Sequence, residues 1–264
     1  MTAPPDPTVA VLATYNEREN ILALTEQLLG LPLTLSVLVV DDHSPDGTAE
    51  ALRKHYGDDD RIILVEREKK LGYGTAMVTG FRLALDRGFE TVVTLDADFS
   101  HDPKAIPVLV QGLERAALAI GSRYKDGVRV LNWPPRRLVL SLLANGYVRT
   151  LLGLPTRDST SGFRAYNRRV LEAIDLDSLH SHGYAFLVEV LYRTVLCGFP
   201  VTEVPIIFTE RREGQSKMSK RVILESVWAP WRMRLKRKAT LKRLQAAPSS
   251  PPTVSESGRG RSVP

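Results

Sequence analysis

The sequence predicts an α/β fold whose central sheet is mainly parallel and is covered by helices on both faces. Strand and helix patterns alternate four times between residues 9 and 120. The strand patterns are almost continuously apolar, as is typical of strands buried on both faces of a parallel sheet. Two of them run directly into acidic residues. Because ligands of open α/β sheets bind at the carboxyl ends of the strands, the fold class also predicts where a site lies.

Short apolar segments predict the strands of this sheet. Valine, isoleucine and leucine dominate these segments, which suits buried strands. In chain order they are residues 9–13, 35–40, 61–65, 91–95 and 117–120. A last strand is predicted over residues 201–208, and Pro205 marks it as an edge strand because proline has no backbone N–H to donate.

Helix signals lie between these strands. Apolar residues recur at helical spacing over residues 21–29, and before them Thr14 and Glu17 have the spacing of a capping box. Ser44, followed by a proline, is interpreted as the cap of a second helix that ends near Tyr56. Each strand is therefore predicted to lead into a helix.

The end of the fourth strand carries the strongest functional signal. Asp96 and Asp98 follow this strand, and Asp102, with a proline after it, predicts the next helix start. Two carboxylates one residue apart repel each other unless a cation neutralises them. A hard divalent cation does so through oxygen ligands and also holds substrate phosphates. The alternative is a polar loop with two helix-capping acids.

A second acidic pair ends the second strand. Asp41 and Asp42 occupy the position at which acids bind a base or ribose in dinucleotide folds. Residues 72–74, Gly-Tyr-Gly, lack the third glycine of a dinucleotide fingerprint and the lysine of a P-loop. We interpret them mainly as a turn, with close backbone approach to a ligand as the alternative.

The second half of the chain departs from this alternation. Residues 138–152 predict a helix that is apolar around most of its circumference and begins beside Arg137. It is either a core helix or a helix lying at a membrane surface. A polar loop over residues 158–164 separates it from a later helix over residues 184–196. That helix carries Glu189, which we interpret as half of a structural salt bridge because a buried acid needs a partner.

Positive charge is concentrated at the C-terminal end. Residues 211–264 contain 14 basic and three acidic residues, whereas residues 1–210 carry a net charge of −5. Residues 222–244 predict an amphipathic basic helix that Pro230 kinks or interrupts. An acidic body with a basic end predicts a polyanionic partner, either nucleic acid or an anionic membrane surface.

Composition and hydropathy indicate a reducing compartment. The single cysteine, Cys197, excludes an internal disulfide and is predicted to lie in the core. We find no signal peptide and no apolar run of about 18 residues, so we expect no membrane-spanning helix. A cytoplasmic protein is expected.

Taken in order, the motifs resemble those of the polyprenyl-phosphate mannose synthases, the dolichol-phosphate mannose synthase group of glycosyltransferase family 2. The resemblance covers about residues 9–225. The motifs are Ala13-Thr14-Tyr15-Asn16-Glu17, VVDDHSPDGT from Val39, LGYGTA from Leu71, LDADFSHD from Leu95, Gly121-Ser122-Arg123-Tyr124, Asn132-Trp133 with Arg137 and Ser141, DSTSGFR from Asp158, and Arg211 with Gly214-x-Ser216-Lys217.

The resemblance implies a GT-A, Rossmann-like fold and an inverting enzyme. The implied reaction moves mannose from GDP-mannose to a polyprenyl (dolichyl) monophosphate and gives a β-linked product, with Mg²⁺ or Mn²⁺ as cofactor. The predicted domains are a flexible N-terminus over residues 1–8, a GT-A catalytic domain over 9–221, an amphipathic basic segment over 222–245 and a tail over 246–264 whose proline, serine and glycine content indicates disorder. Attachment to the cytoplasmic face of a membrane is expected, with an anionic surface and a separate anchoring protein as partners.

The resemblance also implies roles for individual residues. The implied donor-binding residues are Ala13, Tyr15, Glu17, Val39, Asp41, Asp42, Asp96, Ala97, Asp98, Arg211 and Lys217. The implied ligands of the acceptor phosphate are Arg123, Arg137 and Ser141. The implied metal site consists of Asp96, Asp98 and Ser100, where Ser100 replaces a glutamine of some relatives. The implied catalytic residues are Asp96, Asp98, Arg211 and Lys217.

The implied reaction needs no general base. A phosphate monoester has a second pKa of about 6 and is largely ionised already, so the difficult step is departure of the diphosphate. One rival is a glycosyltransferase that uses a UDP-sugar, such as UDP-glucose, or a hydroxyl acceptor, for which Glu189 or Asp158 would be the base. A second rival is a nucleic-acid-binding protein, but the sequence contains no recognised motif of that class, so we expect no nucleic-acid partner.

Overall fold

The computed structural model describes residues 7–179, 181, 183–210 and 220–246, and for residues 220–226 the backbone only. Its strands are β1 (Thr8–Thr14), β2 (Leu35–Asp41), β3 (Ile62–Glu66), β4 (Thr91–Thr94), β5 (Leu118–Ser122), β6 (Val130–Leu131), β7 (Arg164–Asn167), β8 (Val201–Pro205) and β9 (Phe208–Thr209). Its α-helices are α1 (Arg18–Leu29), α2 (Thr48–Tyr56), α3 (Tyr73–Asp86), α4 (Ile106–Gln111), α5 (Pro135–Leu152), α6 (Arg168–Ala173), α7 (Tyr184–Leu196), α8 (Lys220–Leu235) and α9 (Arg237–Ala246).

Seven of the strands form one sheet in the order β3-β2-β1-β4-β7-β5-β8. All neighbours in it are parallel except β7, which runs antiparallel to both β4 and β5. Val9 and Val11 of β1 belong to one core cluster, while Ala10 and Leu12 belong to another. Because successive strand residues face opposite sides, both faces of the sheet are buried. The predicted α/β class with a mainly parallel, doubly covered sheet is confirmed.

Strand β7 is the element that the sequence analysis missed. The polar loop predicted over residues 158–164 does lie after α5, but its last residue, Arg164, begins a strand between β4 and β5. Arg164 is fully buried, and a charged residue at the head of a four-residue strand hides the apolar pattern. The other predicted strands are present, and β8 lies at the sheet edge that Pro205 indicates.

Two of the three predicted helix starts are wrong. Helix α1 begins after Glu17, whose side chain makes no capping bond, so the capping box is absent. The backbone N–H of Glu17 instead donates to Thr48 Oγ1 (3.1 Å). Helix α2 begins at Thr48 rather than near Ser44 and follows Gly47, whose φ of +83° suits glycine. Asp102 does cap the next turn, accepting the Lys104 N–H (3.0 Å).

The C-terminal helices pack on the body of the protein. Helix α8 continues through Pro230, so of the two predicted effects of this proline, a kink or an interruption, the interruption is wrong. The break comes at Lys236, before α9. Ala229 and Met233 of α8 are buried in the core cluster that includes α7. Cys197, predicted to be core, is half-buried at the end of α7. Within the described ranges, no helix combines the length and the apolar content needed to cross a membrane.

Candidate active site

Three neighbouring strands bring the predicted donor and metal residues to one edge of the sheet. The order β2-β1-β4 places the carboxyl ends of these strands side by side. Asp41 is the last residue of β2, Tyr15 is the first residue after β1, and Asp96 is the second residue after β4. The predicted cluster at this edge is therefore formed by the topology rather than by chain proximity.

Asp96, Asp98 and Ser100 form the part of this edge that suits a cation. Asp96 is partly exposed, and Asp98 is buried and accepts the Ser100 backbone N–H at Oδ1 (3.1 Å). The Ser100 hydroxyl is buried and has no hydrogen-bond partner among the described residues. A buried hydroxyl without a partner is costly, so a ligand or water that engages it would be favoured.

These residues fit a divalent cation that takes some of its ligands from the protein and the rest from a substrate. No group of three or more His, Cys, Asp or Glu side chains that could hold a metal occurs in the described part of the chain. Asp96, Asp98 and the Ser100 hydroxyl supply few oxygen ligands by themselves. Mg²⁺ is commonly bound by one or two carboxylates, with substrate phosphates and water as the other ligands. The donor set therefore agrees with the predicted use of a nucleotide diphosphate.

His101 supports the backbone of the acid pair as a neutral ring. Burial lowers its pKa to about 4, although the Asp98 carboxylate opposes the shift. His101 Nδ1 accepts the Asp96 backbone N–H (3.3 Å), so the ring proton is assigned to Nε2. The ring lies between Phe163 and Phe208, with centroid distances of 5.1 and 5.2 Å. His101 lies within the motif that begins at Leu95, but no role was predicted for it from the sequence.

Tyr73 is a second residue that the sequence analysis missed. It is the first residue of α3, so residues 72–74 form the start of a helix rather than the predicted turn. A β-carbon at Gly162 would lie 3.4 Å from Asp96 Oδ1 and 3.6 Å from the Tyr73 hydroxyl, so all three meet at one point. Burial and the nearby Asp96 carboxylate raise the pKa of Tyr73 well above its ordinary value. Tyr73 is therefore a neutral hydroxyl beside the acid pair.

The two acids at the end of β2, Asp41 and Asp42, form hydrogen bonds and an ion pair with the loops around the site. Asp41 has no exposed surface and accepts the Ser44 backbone N–H (2.8 Å) and hydroxyl (2.6 Å). Asp42 accepts the Gly72 N–H (2.7 Å) and pairs with Arg67 (3.0 Å). A nucleoside would have to replace some of these bonds to contact either carboxylate directly. Their predicted donor contacts stay predictions.

Of the remaining predicted donor residues, two are partly exposed at the site and two are buried beneath it. Ala13 and Tyr15 are half-buried, and Lys70 Nζ lies 3.4 Å from the centroid of the Tyr15 ring. Val39 and Ala97 are buried in the core on the α1 side of the sheet. Their side chains therefore support the floor of the site, and side-chain contact of Val39 with a donor is not supported. Arg211 and Lys217, predicted to close over the phosphates, lie outside the described residues.

Arg123 is buried in a bidentate ion pair. Its Nε and Nη2 donate to the two oxygens of Asp158, each at 2.7 Å, and Nη2 also donates to Thr160 Oγ1 (2.8 Å). Burial alone would raise the pKa of Asp158, but the charge and hydrogen bonds of Arg123 outweigh it and hold that pKa below its ordinary value. A phosphate would therefore meet Arg123 with its charge already partly neutralised.

Arg137 is the more accessible of the two predicted arginines. It lies in the first turn of α5 and donates through Nη1 to Glu210 Oε2 (2.5 Å). Its guanidinium carbon is 4.2 Å from the centroid of the Trp133 ring, and that of Arg123 is 5.5 Å away. The buried Nε1–H of Trp133 has no acceptor among the described residues. Two cations and an unpaired donor thus surround Trp133, which the sequence analysis named only as part of a motif.

Ser141 lies one turn along α5 from Arg137 and accepts the Tyr124 hydroxyl (2.7 Å). The rings of His101, Phe208 and Trp133 form a row, with Phe208 and Trp133 5.4 Å apart. This row joins the acid pair to the two arginines. The predicted donor and acceptor halves therefore belong to one continuous site.

The two acids proposed as a base for a rival reaction are both committed to ion pairs. Asp158 is held by Arg123 as described above. Glu189 is buried, pairs with Arg193 (2.5 Å) and accepts the Ser181 N–H (3.1 Å), which confirms its predicted structural role. Neither arrangement is suited to taking a proton from an acceptor hydroxyl.

Known proteins resemble this chain over most of its length. The family model for glycosyl transferase family 2 matches residues 9–175. Polyprenol monophosphomannose synthase of Mycolicibacterium smegmatis is 46% identical over 88% of this chain and 89% of that protein. Undecaprenyl-phosphate mannosyltransferase of Micrococcus luteus is 41% identical over 83% of this chain and 90% of that protein.

Solved structures agree with the fold at much lower identity. Glucosyl-3-phosphoglycerate synthase from Mycobacterium tuberculosis, in complex with Mn²⁺, UDP-glucose and phosphoglyceric acid, matches with a TM-score of 0.61 at 18% identity, over 90% of this chain and 80% of that chain. Its complex with Mg²⁺ and UDP matches with a TM-score of 0.59 at 19% identity, over 92% and 80%. The GT-A fold is confirmed, and the chain belongs to glycosyltransferase family 2.

Proposed function

We propose that this protein is an inverting mannosyltransferase that moves mannose from GDP-mannose to a polyprenyl monophosphate. The observation that carries the proposal is the continuity of the site. An acid pair with a buried, unpartnered Ser100 hydroxyl is joined by a row of rings to the Arg123–Trp133–Arg137 cluster. The names of the two curated relatives support a polyprenyl phosphate acceptor and a mannosyl product.

The donor half stabilises the leaving group. Asp96 and Asp98, with the Ser100 hydroxyl, would hold a divalent cation, and that cation would neutralise charge developing on the departing GDP. The Mn²⁺ and Mg²⁺ complexes of the fold relatives support divalent-cation use. The neutral His101 ring fixes the Asp96 backbone, and Tyr73 offers a neutral hydroxyl beside the same carboxylate. Arg211 and Lys217 remain the proposed cations for the donor phosphates.

The acceptor half positions an ionised nucleophile. The polyprenyl phosphate oxygen attacks the anomeric carbon as the bond from that carbon to GDP breaks. Because this oxygen is already ionised, no proton needs to be removed. Arg137 would exchange the Glu210 carboxylate for the acceptor phosphate, while the Trp133 N–H supplies a further donor. Arg123, already paired with Asp158, and Ser141, bound to Tyr124, would support this group. Attack opposite the GDP inverts the anomeric centre to the β configuration.

The surface around α5 supports peripheral membrane attachment. Val139, Leu140 and Leu143 of α5 are exposed, so the core-helix alternative is wrong for the first half of this helix. On α8, Trp228 is 68% exposed and Trp231 is 47% exposed. Aromatic and apolar side chains exposed beside basic residues favour an anionic membrane surface. We propose attachment at the cytoplasmic face, where polyprenyl phosphate is presented to Arg137, with a separate anchoring protein as a further partner.

A donor comparison tests the proposal. The purified full chain is incubated with a short polyprenyl phosphate and labelled GDP-mannose or UDP-glucose, each with and without a chelator. We expect labelled lipid from GDP-mannose but not from UDP-glucose, and we expect no labelled lipid from either donor in the presence of the chelator. Transfer from UDP-glucose at an equal rate would favour the rival sugar. Full transfer in the presence of the chelator would refute the cation.

A further inference from the structure

A cavity of about 260 Å³ lies between α7 and the C-terminal helices α8 and α9. Its lining combines charged and hydroxyl side chains with apolar ones such as Met233 and Leu244. The volume is below the range of pockets that enclose a whole drug-sized ligand, but it accommodates a headgroup or a small anion. No residue proposed above for the donor or acceptor lines it.

The floor of this α7–α9 cavity is electrically neutral and fully bonded. Glu189 and Arg193 form their buried ion pair there (2.5 Å). Arg193 also donates to the Ser178 carbonyl (2.6 Å), and Glu189 accepts the Ser181 N–H (3.1 Å). These groups therefore hold the floor in one geometry and contribute no net charge.

The rim of the cavity carries an excess of positive charge. Arg243 pairs with Asp175 (2.5 Å) and so is also neutralised. Arg232 of α8 and Lys236, the residue that follows α8, line the cavity four residues apart, and the Lys236 N–H donates to the Arg232 carbonyl (3.0 Å). No carboxylate among the residues whose side chains are described forms a salt bridge with either of them. The cavity thus presents two positive charges above a neutral floor.

The position of these charges, at the C-terminal end of α8 and directly after it, connects the cavity with the exposed apolar face. Trp228, Trp231 and Leu235, which is 80% exposed, recur at spacings of three and four residues and share one face of the helix. At 100° per residue, Arg232 and Lys236 lie on the flank between that face and the buried side of the helix. A lipid that contacts the apolar face would have its headgroup beside the cavity.

We propose that the α7–α9 cavity is a phosphate-binding site, with Arg232 and Lys236 as the ligands, and that it holds the phosphate headgroup of an anionic membrane phospholipid. The cavity shares no lining residue with the acceptor-phosphate cluster. The proposal rests on the proposed function only for the membrane location, because binding itself requires no sugar transfer. A free phosphate ion has the same chemistry, and the experiment below separates the two sources.

The test compares two double variants with the same loss of charge. Arg232→Gln with Lys236→Gln removes the rim, whereas Lys238→Gln with Lys242→Gln removes two exposed basic residues of α9 that do not line the cavity. Binding of the full chain is measured by co-sedimentation with phosphatidylcholine vesicles, with and without phosphatidylglycerol. Diffuse attraction near an anionic surface is worth about fivefold in affinity per basic residue.

A built site predicts that the rim variant loses at least about tenfold more affinity for phosphatidylglycerol vesicles than the α9 variant does. Equal losses in the two variants would overturn the proposal. Transfer to a short, water-soluble prenyl phosphate is expected to be unchanged in both. Failure of the wild-type protein to transfer mannose would refute the proposed function but leave this comparison of vesicle binding intact.

Inorganic phosphate, compared with chloride at the same ionic strength, identifies the ligand chemistry. We expect phosphate to displace the wild-type protein and the α9 variant from vesicles more effectively than chloride, and to have no such advantage with the rim variant. No advantage with the wild-type protein would refute the phosphate site. Specific displacement together with equal vesicle losses would refute the lipid as its source. If the rim variant does not fold, Lys236→Gln alone, at an exposed position, gives the same comparison against Lys238→Gln.

Discussion

Replacing Asp158 by asparagine removes the counter-charge of a buried arginine. Asp158 has no exposed surface, and Arg123 is 6% exposed. Five hydrogen bonds to Asp158 come from Arg123 and Thr160, and two of these are the parallel 2.7 Å bonds of the guanidinium. Asparagine keeps the shape of the side chain but leaves the guanidinium charge uncompensated. Breaking a buried ion pair in this way costs about 3–5 kcal/mol.

That loss is a large part of the 5–15 kcal/mol that is typical of a folded domain. For a chain of this size it corresponds to a fall of roughly 10 °C in the midpoint of thermal unfolding. Urea and thermal unfolding of Asp158→Asn at pH 7 measure it directly. Asp59→Asn is the matched control, because Asp59 forms its ion pair with Arg61 (2.7 Å) at the exposed surface. We expect no measurable change in the control.

The pH dependence separates charge from shape. The pKa of Asp158 is lower in the folded protein than its ordinary value of 3.8, so its stabilising effect is fully present above that value. It is lost as the pH falls through the folded-state pKa. The stability difference between wild type and Asp158→Asn should therefore shrink in acid. An asparagine variant as stable as the wild type at pH 7, or a difference that persists in acid, would refute the reasoning.

Four further predictions concern the site and the membrane surface. Asp98→Asn should lower transfer by at least about a hundredfold without a change in the unfolding midpoint, since a cation ligand is worth several kcal/mol in the transition state; a smaller loss at saturating Mg²⁺ would contradict the assignment. Arg137→Ala should raise the KM for polyprenyl phosphate about tenfold or more and leave the KM for GDP-mannose unchanged; equal effects on both substrates would speak against an acceptor role. Glu210→Gln should lower the KM for polyprenyl phosphate, because it removes the carboxylate that competes for Arg137; a higher KM would show that Glu210 assists binding. Trp228→Ser with Trp231→Ser should weaken binding to anionic vesicles about tenfold and leave the unfolding midpoint unchanged, because both rings are exposed; unaltered vesicle binding would indicate that another surface attaches the protein.

The sheet and its acidic edge were predictable because they depend on short-range patterns. A buried parallel strand needs a run of apolar residues, and Asp96 follows such a run immediately. The order β2-β1-β4 then brings separate strand ends together. Strand β7 was not predictable in the same way, because Arg164 is stabilised by contacts with distant backbone carbonyls, including that of Leu187 (2.8 Å). Local sequence carries no sign of those contacts.

The pairing of charges within the site was also beyond the sequence. Arg137 and Glu210 are 73 residues apart, and Arg123 and Asp158 are 35 apart. The family resemblance implied that Arg123 and Arg137 would bind a phosphate, but only the fold shows that Arg123 is already paired and that Arg137 has a competing carboxylate. The prediction for residues 222–244 was limited similarly: periodicity indicated an amphipathic helix, whereas burial of Ala229 depends on where α7 lies.

Analysis of the reaction product tests the central claim most directly. The full chain is supplied with Mg²⁺, GDP-mannose and a short polyprenyl phosphate, and the lipid product is isolated and its anomeric linkage determined by NMR. A single mannosyl phosphodiester with the β configuration is the predicted result. An α-linked product, or consumption of GDP-mannose with no mannosyl lipid formed, would contradict the account.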